Sequence, residues 1–137
     1  MSLVSEFGSF LPLLSVVVAA LLGYQSGRLL ELRKQLVQQK GQSYGDYLKA
    51  LSTSAVGTSP KDAILAATDA KVRICIYGSP SVIAKLGGFE AAGARIIDAT
   101  TRALIAELIV AMRRDVGTGT SNIDNAHLNL ILFGPPR

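Results

Sequence analysis

Between Glu6 and Arg28 lie 21 residues without a charge, FGSFLPLLSVVVAALLGYQSG. Such a stretch has to be covered, by lipid or by protein. As a helix it reaches about 31 Å, close to the roughly 30 Å of a bilayer's hydrocarbon core. Its strongly apolar part, Phe10 to Tyr24, is only 15 residues, nearer the length of a signal-peptide core. A secretory signal needs a positively charged lead and a small-x-small cleavage site, whereas here Glu6 leads in and RLLELRK follows. The sequence therefore predicts a retained transmembrane helix over residues 1–27, with Pro12 near its start, where a proline costs little. A cleaved signal and a helix buried in a soluble core or oligomer are the alternatives.

Composition agrees with a membrane segment. The chain has 137 residues, 49% of them hydrophobic and 18% charged, against about 25% charged in ordinary soluble domains. Without Trp and with 6% aromatics, the apolar excess is aliphatic, and a mean hydropathy of +0.36 excludes a disordered chain. Residues 28–40 hold Arg28, Arg33, Lys34 and Lys40 against Glu31, so the positive-inside bias places the C-terminal part in the cytoplasm. The unpaired Cys75 suits that reducing compartment. Residues 41–137 carry ten basic and eight acidic groups, so membrane lipid, not nucleic acid, accounts for the basic balance.

The remainder reads as a juxtamembrane basic helix or linker over 28–43, a cytoplasmic helical domain over 44–133 and a disordered tail over 134–137. Leu30, Val37, Tyr44 and Leu51 recur every seven residues, and the spacing predicts a face that packs on the protein's own domain. Gly41 and Gly45 read as interruptions, with Ser43 and Asp46 as a capping box opening a helix that Gly57 ends. Ser59 and Pro60 open a helix ended by Gly78. Its VRICIY portion could alternatively form a strand, in which case residues 72–77 would start a small α/β nucleotide-binding protein or hydrolase. Ser79 and Pro80 open a short helix SVIAKL halted by Gly87 and Gly88. One long helix is expected from Phe89 to Asp115, its face lined by Ile97, Thr101, Leu104, Leu108 and Met112, with Asp98 pairing to Arg102. GTGTSN is a loop, and Asp124 caps NAHLNLILF. The fold class is all-α: an N-terminal transmembrane helix followed by a small helical bundle.

No catalytic site, cofactor or metal site emerges. Gly41-Gln42-Ser43-Tyr44-Gly45 matches GxSxG, with Asp115 or Asp124 and then His127 in hydrolase order, yet a nucleophile elbow needs an apolar strand before it and RKQLVQQK precedes. Cys75 among Val72, Ile74 and Ile76 reads as a core residue. His127 reads as a surface group at a helix start. The GSPS and GTGTS loops offer backbone N–H groups, which the ending of one helix and the entry to the next already explain. Arg113 and Arg114 complement a helix C-terminus that Gly117 closes, but Asp115 is an acid at the negative end of a helix dipole. It calls for a partner, either a nearby Arg or a loop N–H; an Arg–Asp pair pinning the following loop is expected.

Tyr77-Gly78-Ser79 with Val82 three residues on, then Phe89, then AMRRDVG from Ala111 to Gly117, resembles a group of small bacterial single-span membrane proteins. Their C-terminal helical cytoplasmic domain carries a YxS..V element followed by an MRxDxG element. The resemblance covers roughly residues 44–133 and departs at Val116, where Leu is commoner. It implies fold and location and lends no chemistry. Tyr77, Ser79, Arg113, Arg114 and Asp115 are the candidate partner or structural cluster. The expectation is a membrane-anchored binding or assembly module, not an enzyme, contacting a protein partner or another copy of itself through the apolar width of helix 89–115.

Overall fold

A computed structural model describes residues 3–56, 60–118 and 123–135, with side chains from Pro12 onward apart from Leu13 and residues 55, 56 and 60. Its regular structure is all α-helical: α1 (Leu3–Val56), α2 (Pro60–Tyr77), α3 (Pro80–Ala91), α4 (Ala99–Asp115) and α5 (Asn125–Phe133). Residues 72–77 are helical, which removes the α/β alternative. The chain divides into two compact units, Met1–Leu36 and Val37–Arg137.

In the first unit, Leu14, Val16, Val17, Val18, Leu21 and Leu22 are all exposed. At 100° per residue they spread over most of the helix circumference. Among the described residues no helix is long and apolar enough to cross a membrane. The side chains of Phe7 to Leu11 and of Leu13, which open the uncharged stretch, lie outside those residues.

The second unit closes around one core. Tyr44 and Tyr47 of α1, Ala70 and Ile74 of α2, Val82, Leu86 and Phe89 of α3, and Ile105, Leu108, Ala111 and Met112 of α4 form a contiguous buried cluster. Tyr44 belongs to the seven-residue repeat, and Leu51 packs on the cluster, so the repeat serves the protein's own domain there. Salt bridges lace the surface: Arg73 reaches Asp46 at 2.9 Å and Asp69 at 2.8 Å, and Lys85 reaches Glu107 at 2.5 Å.

Several local expectations need correction. The helix runs straight through Gly41 and Gly45, and Ser43 is no cap, because its Oγ donates back to the Gln39 carbonyl at 2.8 Å from a fully buried position. Buried Tyr44 and Tyr47 anchor this stretch, and packing outweighs the roughly 1 kcal/mol helix penalty of each glycine. Gly87 and Gly88 are crossed likewise, between buried Leu86 and Phe89. The expected helix 89–115 is instead two. At Gly93 (φ 93°) the Ala94 N–H donates to the Phe89 carbonyl and the Gly93 N–H to that of Glu90, a Schellman termination. Asp98 is then the N-cap of α4 in a capping box with Thr101, not a partner of Arg102.

Most of the wide apolar face expected of α4 is spent on the core, while Ile96 and Ile97, ahead of α4, stay exposed. Cys75 is exposed, not packed in the core. It shares a side of α2 with exposed Ile64, Leu65, Val72 and Ile76, opposite buried Ala63, Ala70 and Ile74. Asp124 caps α5 as expected, accepting from the Ala126 N–H at 3.0 Å. Gly57, Ser59, residues 119–122 of the GTGTSN loop and the last two tail residues lie outside the described residues.

Candidate functional site

The acid that the sequence left unexplained lies at the centre of the best-built polar cluster. Asp115 closes α4, and its carboxylate takes three donors from elsewhere in the chain. The Lys40 ammonium donates to Oδ1 at 2.8 Å, the Tyr44 hydroxyl donates to Oδ2, and the Ser79 backbone N–H donates to the same oxygen at 3.2 Å. Only 9% of the Asp115 side chain and 15% of the Lys40 side chain is exposed.

Each donor is placed by its own element. Lys40 and Tyr44 are one turn apart on α1 and so share a face. Ser79 is the N-cap of α3, its Oγ accepting from the Val82 N–H at 3.4 Å. Gly78 makes the approach feasible: a Cβ there would stand 2.6 Å from the Ile74 carbonyl oxygen and 3.4 Å from the Tyr44 hydroxyl. The two elements of the sequence resemblance, Tyr77-Gly78-Ser79 and Arg113-Arg114-Asp115, thus meet through the Ser79–Asp115 hydrogen bond.

Burial alone would raise the Asp115 carboxyl, but hydrogen bonds from Lys40, Tyr44 and Ser79, with the Lys40 charge, prevail and hold it below the ordinary carboxylate range. Burial and the neighbouring Asp115 push the Tyr44 hydroxyl above its ordinary value, which keeps it protonated as a donor. A second node echoes the first. The Tyr47 hydroxyl donates to Glu90 Oε1 at 2.6 Å and the Lys71 ammonium to Oε2 at 2.8 Å, and burial beside Glu90 likewise raises the Tyr47 hydroxyl.

The expected Arg–Asp pair is therefore corrected. Asp115 pairs with Lys40, and its loop N–H comes from Ser79. Arg113 serves the loop after α4 instead: its guanidinium donates to the Thr118 carbonyl at 3.4 Å, and the Thr118 hydroxyl donates to the Arg113 carbonyl at 3.0 Å. Gly117 (φ 75°) closes that helix as expected. Arg114 is exposed on an open cleft of about 580 Å³ between α3, α4 and the start of α5, beside Lys85, Glu107 and Asp124. Tyr77 is half-buried and its hydroxyl takes no part in the cluster. Sequence reasoning missed Lys40, Tyr44, Tyr47 and Glu90 as polar partners. The usable signal was that a buried tyrosine hydroxyl needs an acceptor.

Two side-chain donors and one backbone N–H engage Asp115, an arrangement that fastens α1, the turn before α3 and the end of α4 together. Ser43 and His127 are not assembled, with Ser43 bonded within α1 and the His127 side chain exposed beside Asp124 at 3.9 Å. Among the described residues no group of three His, Cys, Asp or Glu side chains could hold a metal ion. No protein-family profile, curated protein or solved structure matches this chain.

Proposed function

We propose that this protein is a single-span, membrane-anchored helical module that works by binding or assembly and catalyses no reaction, with its C-terminal domain in the cytoplasm of a bacterial inner membrane. One observation carries the reading. Leu14, Val16, Val17, Val18, Leu21 and Leu22 are exposed over most of the circumference of one helix. A helix that is apolar all round needs an apolar medium, not one packing neighbour. The 21-residue uncharged stretch and the basic residues that follow it fit a bilayer core and its cytoplasmic edge. The helical domain contributes fastened polar nodes and the exposed apolar side of α2, a composition suited to contact with protein.

Fractionation tests the anchor. The full-length chain is expected in the membrane pellet, resistant to carbonate and released by detergent; recovery in the detergent-free supernatant overturns the reading. Assembly is read with the exposed thiol. A short bis-maleimide is expected to link Cys75 of two copies in intact membranes, and Ile76→Glu to reduce that product at least severalfold. A monomer band alone would count against self-association through α2.

A further inference from the structure

We infer that Arg28, Arg33 and Lys34 form a collar that binds the anionic phospholipid headgroups of the bilayer holding α1; the inference rests on the membrane-anchor reading. All three are exposed, and none is ion-paired among the described residues. Lys40 is excluded, since its charge is committed to Asp115. Arg28, Arg33 and Lys34 are therefore the cations that directly follow the uncharged stretch with no carboxylate partner among the described residues.

Its geometry fits a planar layer of anions better than one discrete ligand. At 100° per residue the three side chains leave α1 about 100° to 140° apart, so they ring the helix without converging on a point. They lie within about 10 Å of Gly27 along the axis, at the depth of the headgroup region just outside a hydrocarbon core. Long aliphatic stems let each charge reach phosphate while exposed Leu29, Leu30 and Leu32 lie alongside. Glu31 is the single acid in the segment and leaves it net positive. Each cation near an anionic surface contributes about 1 kcal/mol, which is roughly fivefold in lipid preference.

The full-length chain, extracted in mild detergent with equal phosphatidylglycerol and phosphatidylcholine, is expected to retain phosphatidylglycerol preferentially by native mass spectrometry. Arg28→Gln, Arg33→Gln and Lys34→Gln should each lower that preference about fivefold, while Lys61→Gln on α2 leaves it unchanged. In parallel, the chain is floated with vesicles of phosphatidylcholine alone and with added phosphatidylglycerol. Flotation with both, without phosphatidylglycerol preference, overturns the collar and leaves the anchor standing. Flotation only with phosphatidylglycerol would show surface attachment by charge alone and overturns the anchor together with the collar that rests on it, and flotation with neither likewise overturns both. An equal loss in Lys61→Gln, or displacement of the lipid by inorganic phosphate, also overturns the collar.

Discussion

Two nodes of the helical domain share one design, a tyrosine of α1 and a lysine converging on a carboxylate, but differ in how they are shielded. At Asp115 the lysine and acid side chains are 15% and 9% exposed and a backbone N–H adds a third bond. At Glu90 the corresponding values are 34% and 30%, with the tyrosine and lysine as the only donors to its carboxylate among the described residues. Water can replace a lost partner at Glu90 and can scarcely do so at Asp115, so near-identical chemistry should have unequal energetic weight. Each node joins three segments: α1, the turn between α2 and α3, and the end of α4 at Asp115, and α1, α2 and α3 at Glu90.

The largest difference is expected on removal of each acid. Asp115→Ala leaves the largely shielded Lys40 ammonium unpaired and should cost about 2–3 kcal/mol in urea unfolding of the domain. Glu90→Ala should cost less, about 1–2 kcal/mol, because Lys71 can turn to solvent and truncating a 30%-exposed side chain opens a path for water toward the buried Tyr47 hydroxyl. Equal losses would end the distinction. The Asp115 contribution should also depend on pH in a defined direction. Its folded pKa is depressed, so the unfolded chain binds its proton more readily. The stabilisation is complete above the unfolded value near 4 and is lost as pH falls from there through the folded value. The stability gap between the native chain and Asp115→Asn should therefore narrow on acidification within that window.

The same contrast explains what the sequence could disclose. Helix boundaries governed by local chemistry were legible: Pro60, Pro80 behind Ser79, Asp124 and Gly117 all act where the spacing puts them. Asp115 was legible as an anomaly, since an acid at a helix C-terminus opposes the dipole. Its partner was not, because Lys40 is 75 positions away and only packing brings α1 to the end of α4. Glycines misled in both directions for one reason. Gly45, Gly87 and Gly88 lie between buried anchors that hold the helix and Gly41 lies just ahead of buried Ser43 and Tyr44, whereas Gly93 adopts φ 93° and truly ends one. The Asp98–Thr101 capping box was present to be read and was masked by a continuous apolar period.

A smaller effect is expected at Gly78, through geometry and not charge. An added methyl would stand 2.6 Å from the Ile74 carbonyl oxygen, so the turn must shift and carry the Ser79 N–H away from Asp115. Gly78→Ala should cost about 1–3 kcal/mol, measured by the same unfolding curves. If the cost arises through the node, it should shrink in an Asp115→Asn background; an undiminished cost would assign it to the turn alone.

Next come the hydroxyls themselves. Tyr44→Phe removes one of three bonds to a shielded carboxylate and should cost about 1.5–3 kcal/mol, whereas Tyr47→Phe frees a carboxylate that water can reach and should cost about 1 kcal/mol. The reverse order would show that tyrosine burial, complete for Tyr47 at 0% exposure, outweighs shielding of the acid.

The smallest effect should have the opposite sign. A Cβ at Gly41 or Gly45 would meet nothing within 4 Å, and both glycines sit inside a helix held by its neighbours. Alanine there removes unfolded-state freedom without disturbing either node, so Gly41→Ala and Gly45→Ala should each stabilise by about 0.5–1 kcal/mol. The two positions are one turn apart on the same face, so the combined gain is expected to depart from the sum by a few tenths of a kcal/mol. Destabilisation at either position would mean that α1 bends there in solution, and the shared helix face that delivers Lys40 and Tyr44 to one carboxylate would need another explanation.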